Sequence, residues 1–267
     1  MGTIAHLSDL HFGRLDEAVA EALVGEMRAR PPDLIVISGD LTQRARRAEF
    51  AEAARFIGRL PSRPLVVPGN HDLPAGNLGH RVLWPHKRFR KAIERDPFPT
   101  FEGAGMRVIG VDTTRVGGLY LDWSRGRISR SQIGVVGEFF GGAGRRDETR
   151  VVVTHHPFLY PPGRRERDLV GRAKLALASF RQSGVHLLLA GHFHKAYSGH
   201  VAMPHPDEHR IVVAQASTAT STRLKGEPNA YNWITCGGAE IHVLHRVWEP
   251  ARSGFVDGEL REYAGAG

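Results

Sequence analysis

The sequence predicts an α/β protein arranged as a four-layer α-β-β-α sandwich, two mixed sheets packed together with helices outside them. Three features carry that prediction. Short apolar runs alternate with helix-period segments through the first half, the last part alternates more and holds fewer helical patterns, and polar residues gather where the apolar runs end. Thr3 to Ser8 is strand-like. Leu15 to Arg30 reads as a helix with Ala18, Ala22, Leu23 and Met27 on one face, and "PPDLIVISGD" restarts a buried strand. A second helix covers Ala45 to Leu60, followed by the strand "PLVVPGNHD". This β-α-β-α-β order implies parallel strands with right-handed crossovers. A helix is expected over Arg81 to Ile93 and a strand over Met106 to Asp112. Past the glycine-rich "FFGGAGRRDE" loop, "TRVVVTHHP" and "VHLLLAGHFH" read as buried strands separated by a helix around Asp168 to Gln182. "HRIVVAQAST", "NWITCGG" and "EIHVLHRVWE" then read as a meander completing a second sheet. The length suits one domain over residues 1–267, and no solenoid-type repeat or low-complexity linker interrupts it.

Composition narrows the partners. Lys and Arg total 36 against 28 Asp and Glu, a formal charge of +8 carried mostly by arginine. That excess favours phosphate esters, nucleic acid or membrane surfaces without choosing among them. Arg44, Arg46 and Arg47 form one basic cluster, and Arg145, Arg146, Arg164, Arg165 and Arg167 form others. No aromatic residues interleave them to stack bases, so they are expected to be solvated faces, with nucleic acid left open by charge alone. The single cysteine, Cys236, excludes an internal disulfide or a thiolate-cluster metal site and suits a small buried position. No stretch is apolar enough to span a bilayer, and no basic segment followed by an apolar one opens the chain, so a cytoplasmic protein is expected.

Five apolar runs end in residues that bind metals. "LSDLHFG" carries Asp9 and His11, "ISGDLTQ" carries Asp40, "VPGNHD" carries Asn70, His71 and Asp72, "VTHHP" carries His155 and His156, and "AGHFH" carries His192 and His194. Alternate residues of extended chain project to one side, which would aim His192 and His194 at a common point. In parallel α/β sheets the loops after the strands converge, so residues distant in sequence can meet there. Gly39, Gly69 and Gly191 precede Asp40, Asn70 and His192, where glycine permits a sharp turn or close approach. Carboxylate, imidazole and amide donors without thiolate suit Mn, Fe, Zn, Co or Ni. About seven such donors are too many for one tetrahedral zinc and suit two metals sharing a bridge.

In order, D-x-H, G-D, G-N-H-D, H and G-H-x-H resemble the full signature of the calcineurin-like metallophosphoesterases. "SGDLTQRA", "VPGNHDLP" and "VTHHP" most resemble the bacterial branch that includes class III cyclic-nucleotide phosphodiesterases. The resemblance implies two divalent transition-metal ions, Mn or Fe favoured. Asp9, His11, Asp40 and His194 would bind one, and Asp40, Asn70, His155 and His192 the other, with Asp40 as the bridge. A hydroxide between the ions would attack a small phosphodiester. His71 would stabilise the phosphate or protonate the leaving oxygen, with Asp72 orienting its ring. His156 would lie behind the ligands, face the substrate, or be structural. The turn-rich segment "STRLKGEPNAYN" at 221–232, carrying Arg223 and Lys225, is either a surface connection or a lip contacting substrate. His6, His186, His200, His205, His209, His242 and His245 are expected to be structural or solvated.

The expected activity is hydrolysis of a small phosphate ester, a cyclic nucleotide or glycerophosphodiester. The alternatives are a nuclease, a phosphomonoesterase, a lipid or sugar-nucleotide pyrophosphatase, and a non-catalytic scaffold. A scaffold would have lost ligand positions, and here each is filled. Nucleases and lipid enzymes would be favoured by a DNA-binding appendage or an amphipathic lid, and neither is evident. A homodimer is compatible with the pattern, since a second subunit's loops often complete such sites.

Overall fold

The computed structural model describes residues 1–76, 78–117, 124–141, 148–159, 169–201, 210–238 and 240–264. Arg145, Arg146, Arg164, Arg165, Arg167, Asp168, His205 and His209 lie outside the described residues. Strands β1 (Gly2–Leu7), β2 (Leu34–Ile37) and β3 (Leu65–Val66) run parallel and are connected through α1 (Glu17–Ala29) and α2 (Arg47–Ile57). Ala5, Leu7, Ile35 and Ile37 pack toward these helices, while Ile4, Leu34 and Val36 pack on the opposite face. Burial on both faces is why these strands read as continuous apolar runs.

Helix α1 begins at Asp16, whose carboxylate accepts hydrogen bonds from the Ala18 and Val19 N–H groups. Its buried stripe is Val19, Ala20, Leu23, Val24 and Met27, whereas Ala18 is exposed. The bulkier Val19, four residues before Leu23, takes the core position expected of Ala18 because it removes more apolar surface from water. The expected helix over Arg81 to Ile93 is two short ones, α3 (Leu78–Leu83) and α4 (Lys87–Ala92). Pro85 separates them, since it lacks an N–H and disfavours helical backbone at the preceding residue.

The second sheet contains β4 (Thr100–Gly103), β5 (Met106–Gly110), β6 (Thr149–Val153), β7 (Leu187–Ala190), β8 (Tyr197–His200) and β9 (Val212–Gln215) in the order β4-β5-β6-β7-β9-β8. Its four central strands are parallel and both edges antiparallel. Helices α5 (Arg130–Phe140) and α6 (Ala173–Gln182) cover its outer face. The sequence reading did not anticipate α5, which Ser129 and Gln132 open with reciprocal capping hydrogen bonds.

The expected meander is split between the sheets: "HRIVVAQAST" supplies β9 of the second, whereas "NWITCGG" and "EIHVLHRVWE" give β10 (Ala230–Gly237) and β11 (Glu240–Glu249), which with β12 (Gly254–Tyr263) complete the first. β10 pairs antiparallel with β1, giving the order β12-β11-β10-β1-β2-β3. Tyr231 and Trp233 face the helices while Ile234 and Cys236 face the other sheet, so β10 is apolar on both sides and sits centrally. Three cores result: one under α1 and α2, one between the sheets, and one under α5 and α6. These are the gaps of a four-layer sandwich. Among the described residues, no helix is long and apolar enough to cross a membrane.

Candidate metal centre

The loops after β1, β2, β3, β6 and β7 meet at the carboxyl ends of both sheets and bring two donor groups into contact. In the first, donor atoms of Asp9, His11, Asp40 and His194 lie within 4.8 Å of one another. His194 Nε2 is 3.2 Å from Asp9 Oδ1 and 3.3 Å from His11 Nε2. In the second, Asn70 Oδ1 lies 3.2 Å from His155 Nε2 and 3.1 Å from His192 Nδ1. Asp40 Oδ2 touches both groups, 3.9 Å from His11 Nε2 and 3.4 Å from His155 Nε2. The structure thus brings together every residue expected as a ligand.

Local backbone aims these side chains. Asp9 (φ 53°), His11 (φ 50°), Asp40 (φ 52°), His192 (φ 76°) and His194 (φ 56°) all hold the left-handed conformation. Non-glycine residues adopt it at a cost of about 1–3 kcal/mol each, and only where surrounding structure enforces it. The geometry behind His192 and His194 therefore differs from the extended alternation expected. β7 ends at Ala190, and two left-handed kinks send the rings to different groups. Close approach also explains two of the glycines. A Cβ on Gly191 would sit 1.8 Å from Ser8 Oγ, and one on Gly69 2.2 Å from Asp40 Oδ1.

Partners behind the donors fix their orientation. His155 Nδ1 donates to the Ser38 carbonyl (2.8 Å), which turns Nε2 toward Asp40 and Asn70. His194 Nδ1 lies 2.7 Å from Thr218 Oγ1, and Ser8 Oγ donates to Asp9 Oδ2 at 2.6 Å. The sequence reading missed Ser8 and Thr218. The signal for Thr218 was the polar run "QAST" ending β9, but hydroxyls do not stand out beside imidazoles and carboxylates.

Electrostatics within the cluster are strongly coupled. Burial opposes charge on Asp40, but the neighbouring His155 outweighs it and holds the carboxyl well below the usual range. Reciprocally, burial opposes charge on His155, and Asp40 overcomes it, pushing the imidazole up to about 9. Burial and the charge of His155 push His192 down to about 3. Asp9 Oδ1 is buried without any hydrogen bond although two imidazole nitrogens face it. A buried carboxylate oxygen this costly to leave without a hydrogen bond, in a set of carboxylate and imidazole ligand atoms, fits divalent metal ions.

His71 sits beside the first group, its ring 5.0 Å from that of His11 and edge-on to it. One expectation about its neighbours is corrected. Asp72 does not orient the ring: its buried carboxylate accepts from the N–H groups of Leu41, Thr42 and Gly69 and from Thr42 Oγ1, tying the turn Asn70–Asp72 to the loop after β2. The Gln43 carbonyl holds the ring instead, accepting from His71 Nδ1 at 2.9 Å. A backbone acceptor cannot be recognised from residue type, so this contact was illegible in sequence. His156 takes the structural one of its three expected places. It is buried, with Nε2 donating to the Ser124 carbonyl (2.8 Å) and Nδ1 bonded to Thr113 Oγ1 (2.8 Å), which commits both ring nitrogens to structure. Arg223 does reach the site: its Nη1 lies 3.1 Å from His71 Nε2, and its carbonyl is 3.3 Å from His194 Nδ1. The 221–232 segment therefore borders the cluster.

The family model described as calcineurin-like phosphoesterase matches residues 2–196. The chain belongs to this family, and it is a metal-dependent phosphoric ester hydrolase. It is 25% identical over 218 residues to a protein of Synechococcus sp. named "Probable cyclic nucleotide phosphodiesterase", covering 73% of this chain and 74% of that protein. It is 30% identical over 213 residues to the glycerophosphodiester phosphodiesterase GpdQ of Enterobacter lignolyticus, covering 72% of this chain and 70% of the relative. A dimetal phosphatase from Danio rerio shares the fold, with a TM-score of 0.66 at 12% identity over 96% of this chain and 98% of that one.

Proposed function

We propose that the chain is a dinuclear phosphodiesterase acting on a small diester of the cyclic-nucleotide or glycerophosphodiester type. One observation carries the dinuclear reading: the single Asp40 Oδ2 contacts His11 of one donor group and His155 of the other. Asp9, His11, Asp40 and His194 would hold one divalent ion, and Asp40, Asn70, His155 and His192 the second. When bound, such ions polarise a phosphoryl oxygen and bring the pKa of water near neutrality. Mn or Fe is favoured, from a donor set that also suits Zn, Co and Ni.

The chain's own residues supply the rest. Asp40 neutralises charge between the two groups, while its Oδ1 accepts from the His71 N–H at 2.8 Å and fixes the loop carrying His71. Gln43 holds His71 so that Nε2 faces the cluster and Arg223. Burial lowers the basicity of His71, so the ring is neutral until an anionic phosphate arrives and favours its protonation. Protonated, Nε2 can donate to the leaving oxygen, and Arg223 adds a fixed positive charge beside it. The names of the two relatives support a diester substrate.

Hydrolysis of 3′,5′-cyclic AMP and bis(p-nitrophenyl) phosphate by the Mn-loaded protein, compared as kcat/KM, tests this reading. Turnover of both is expected. Turnover of the aryl diester alone would remove cyclic AMP as the substrate, and inactivity toward both with metal bound would indicate a scaffold. Asp40→Ala should lose both metal retention and turnover; a variant that kept two metals and full activity would overturn the bridge.

A further inference from the structure

An open cleft of about 380 Å³ lies at the carboxyl end of β5, where the amino ends of α5 and α6 converge. Its lining contains none of the seven candidate metal ligands and includes Arg115, Arg127, Arg172, Ser129, Gln132 and Asp112. Three arginines and one aspartate thus line it. The Asp112 carboxylate is already engaged, accepting from Thr114 N (2.8 Å) and Oγ1 (2.6 Å) and lying 3.3 Å from His86 Nε2. Arg172 Nη1 donates to the Ile128 carbonyl at 3.2 Å, and neither Arg127 nor Arg172 pairs with a carboxylate among the described residues. Desolvation and the charges of Arg127 and Arg130 disfavour the Arg172 cation.

Arg172 also occupies left-handed backbone, with φ 69°, at the amino cap of α6. A long cation in a strained conformation, crowded by like charge, is poorly explained by stability. Ser129 caps α5 on the same wall, so the positive ends of two helix dipoles reinforce the arginines. Guanidinium forks and helix amino ends recognise phosphate oxygens, and the volume accommodates a molecule of nucleotide size.

We propose that this cleft is a second phosphate-binding site, separate from the metal cluster, for a phosphate or phosphate monoester. It lies beside the cluster through one link: Thr113, between Asp112 and Thr114, bonds His156, whose ring is 4.9 Å from those of His155 and His192.

Titration calorimetry of the metal-loaded protein with inorganic phosphate tests the site. Two phosphates per chain are expected for the wild type. The double variant R127A/R172A should lose the cleft phosphate, binding it at least tenfold more weakly, and keep the other. Asp40→Asn should lose the cluster phosphate and keep the cleft one; if that variant does not fold, chelator-treated wild type replaces it. One phosphate per chain that survives R127A/R172A and disappears with Asp40→Asn would overturn the cleft. One phosphate per chain that survives Asp40→Asn and disappears in R127A/R172A would support the cleft and overturn the metal reading instead. Retention of both phosphates in R127A/R172A would also overturn it.

Discussion

At Asp9, left-handed backbone and a buried carboxylate oxygen without a hydrogen bond occur in one residue. Each feature costs stability, and their coincidence at a cluster of donors marks a position shaped by chemistry rather than packing. His71 is shaped differently, held by a backbone carbonyl with Nε2 toward the site. General acid catalysis contributes about 10²–10⁴-fold and matters most for poor leaving groups. His71→Ala should therefore lose activity in that range on an alkyl diester and far less on an aryl diester. Equal losses, measured as kcat/KM, would remove the acid role. Cys236 was read as a small buried residue, and in β10 it is buried with its thiol pushed up to about 12 by desolvation. It should resist thiol reagents at neutral pH until the protein unfolds. Stoichiometric labelling of the native chain would contradict its burial. His6 is fully buried against Ser38 Oγ, and burial pushes its pKa down to about 3 from an ordinary 6.5. Below pH 6.5 the unfolded chain takes a proton that the folded one refuses. Its contribution is thus complete above that pH and falls by about 1.4 kcal/mol per unit as acid is added, down to the folded pKa. Relative to His6→Gln, wild-type stability from denaturant titrations should decline with that slope; parallel pH curves would show that His6 is not held neutral.

Elements differ in how plainly the sequence announces them. Strands buried on both faces were legible because most of their residues are apolar, and the polar residues that follow them marked the loops. Helix α5 was overlooked although Ser129 and Gln132 form a capping box, because Gly134 and Gly137 lower its helix propensity and Phe139 and Phe140 run straight into the glycine-rich loop. Pro85 could have divided the expected helix over 81–93, since its chemistry forbids continuation. The loop after β7 depends on a residue without a Cβ at 191. Gly191→Ala should push Ser8 and Asp9 apart, cost about 1–3 kcal/mol as overpacking does, and reduce bound metal in elemental analysis. A variant with unchanged metal content and stability would show that the loop can relax.

Across the whole molecule, the seven candidate ligands come from both sheets, so the cluster joins the two halves of the sandwich. A metal bound only by the folded state would stabilise it by about 4 kcal/mol at concentrations a thousandfold above Kd. For a chain of this size, chelation should then lower Tm by on the order of 10 °C, as calorimetry would show. An unchanged Tm would mean that no metal couples to folding. By itself the sequence determined the layers and the donor set, because apolar periodicity and residue chemistry are local properties. Only the tertiary structure decided that β10 joins β1, that left-handed kinks rather than extended alternation aim His192 and His194, that Asp72 supports a loop while Gln43 holds His71, and that Arg115, Arg127 and Arg172 share a cleft. Strand pairing, left-handed kinks and backbone acceptors depend on which segments pack together, and that is settled only when the distant parts of the chain compete for the same core.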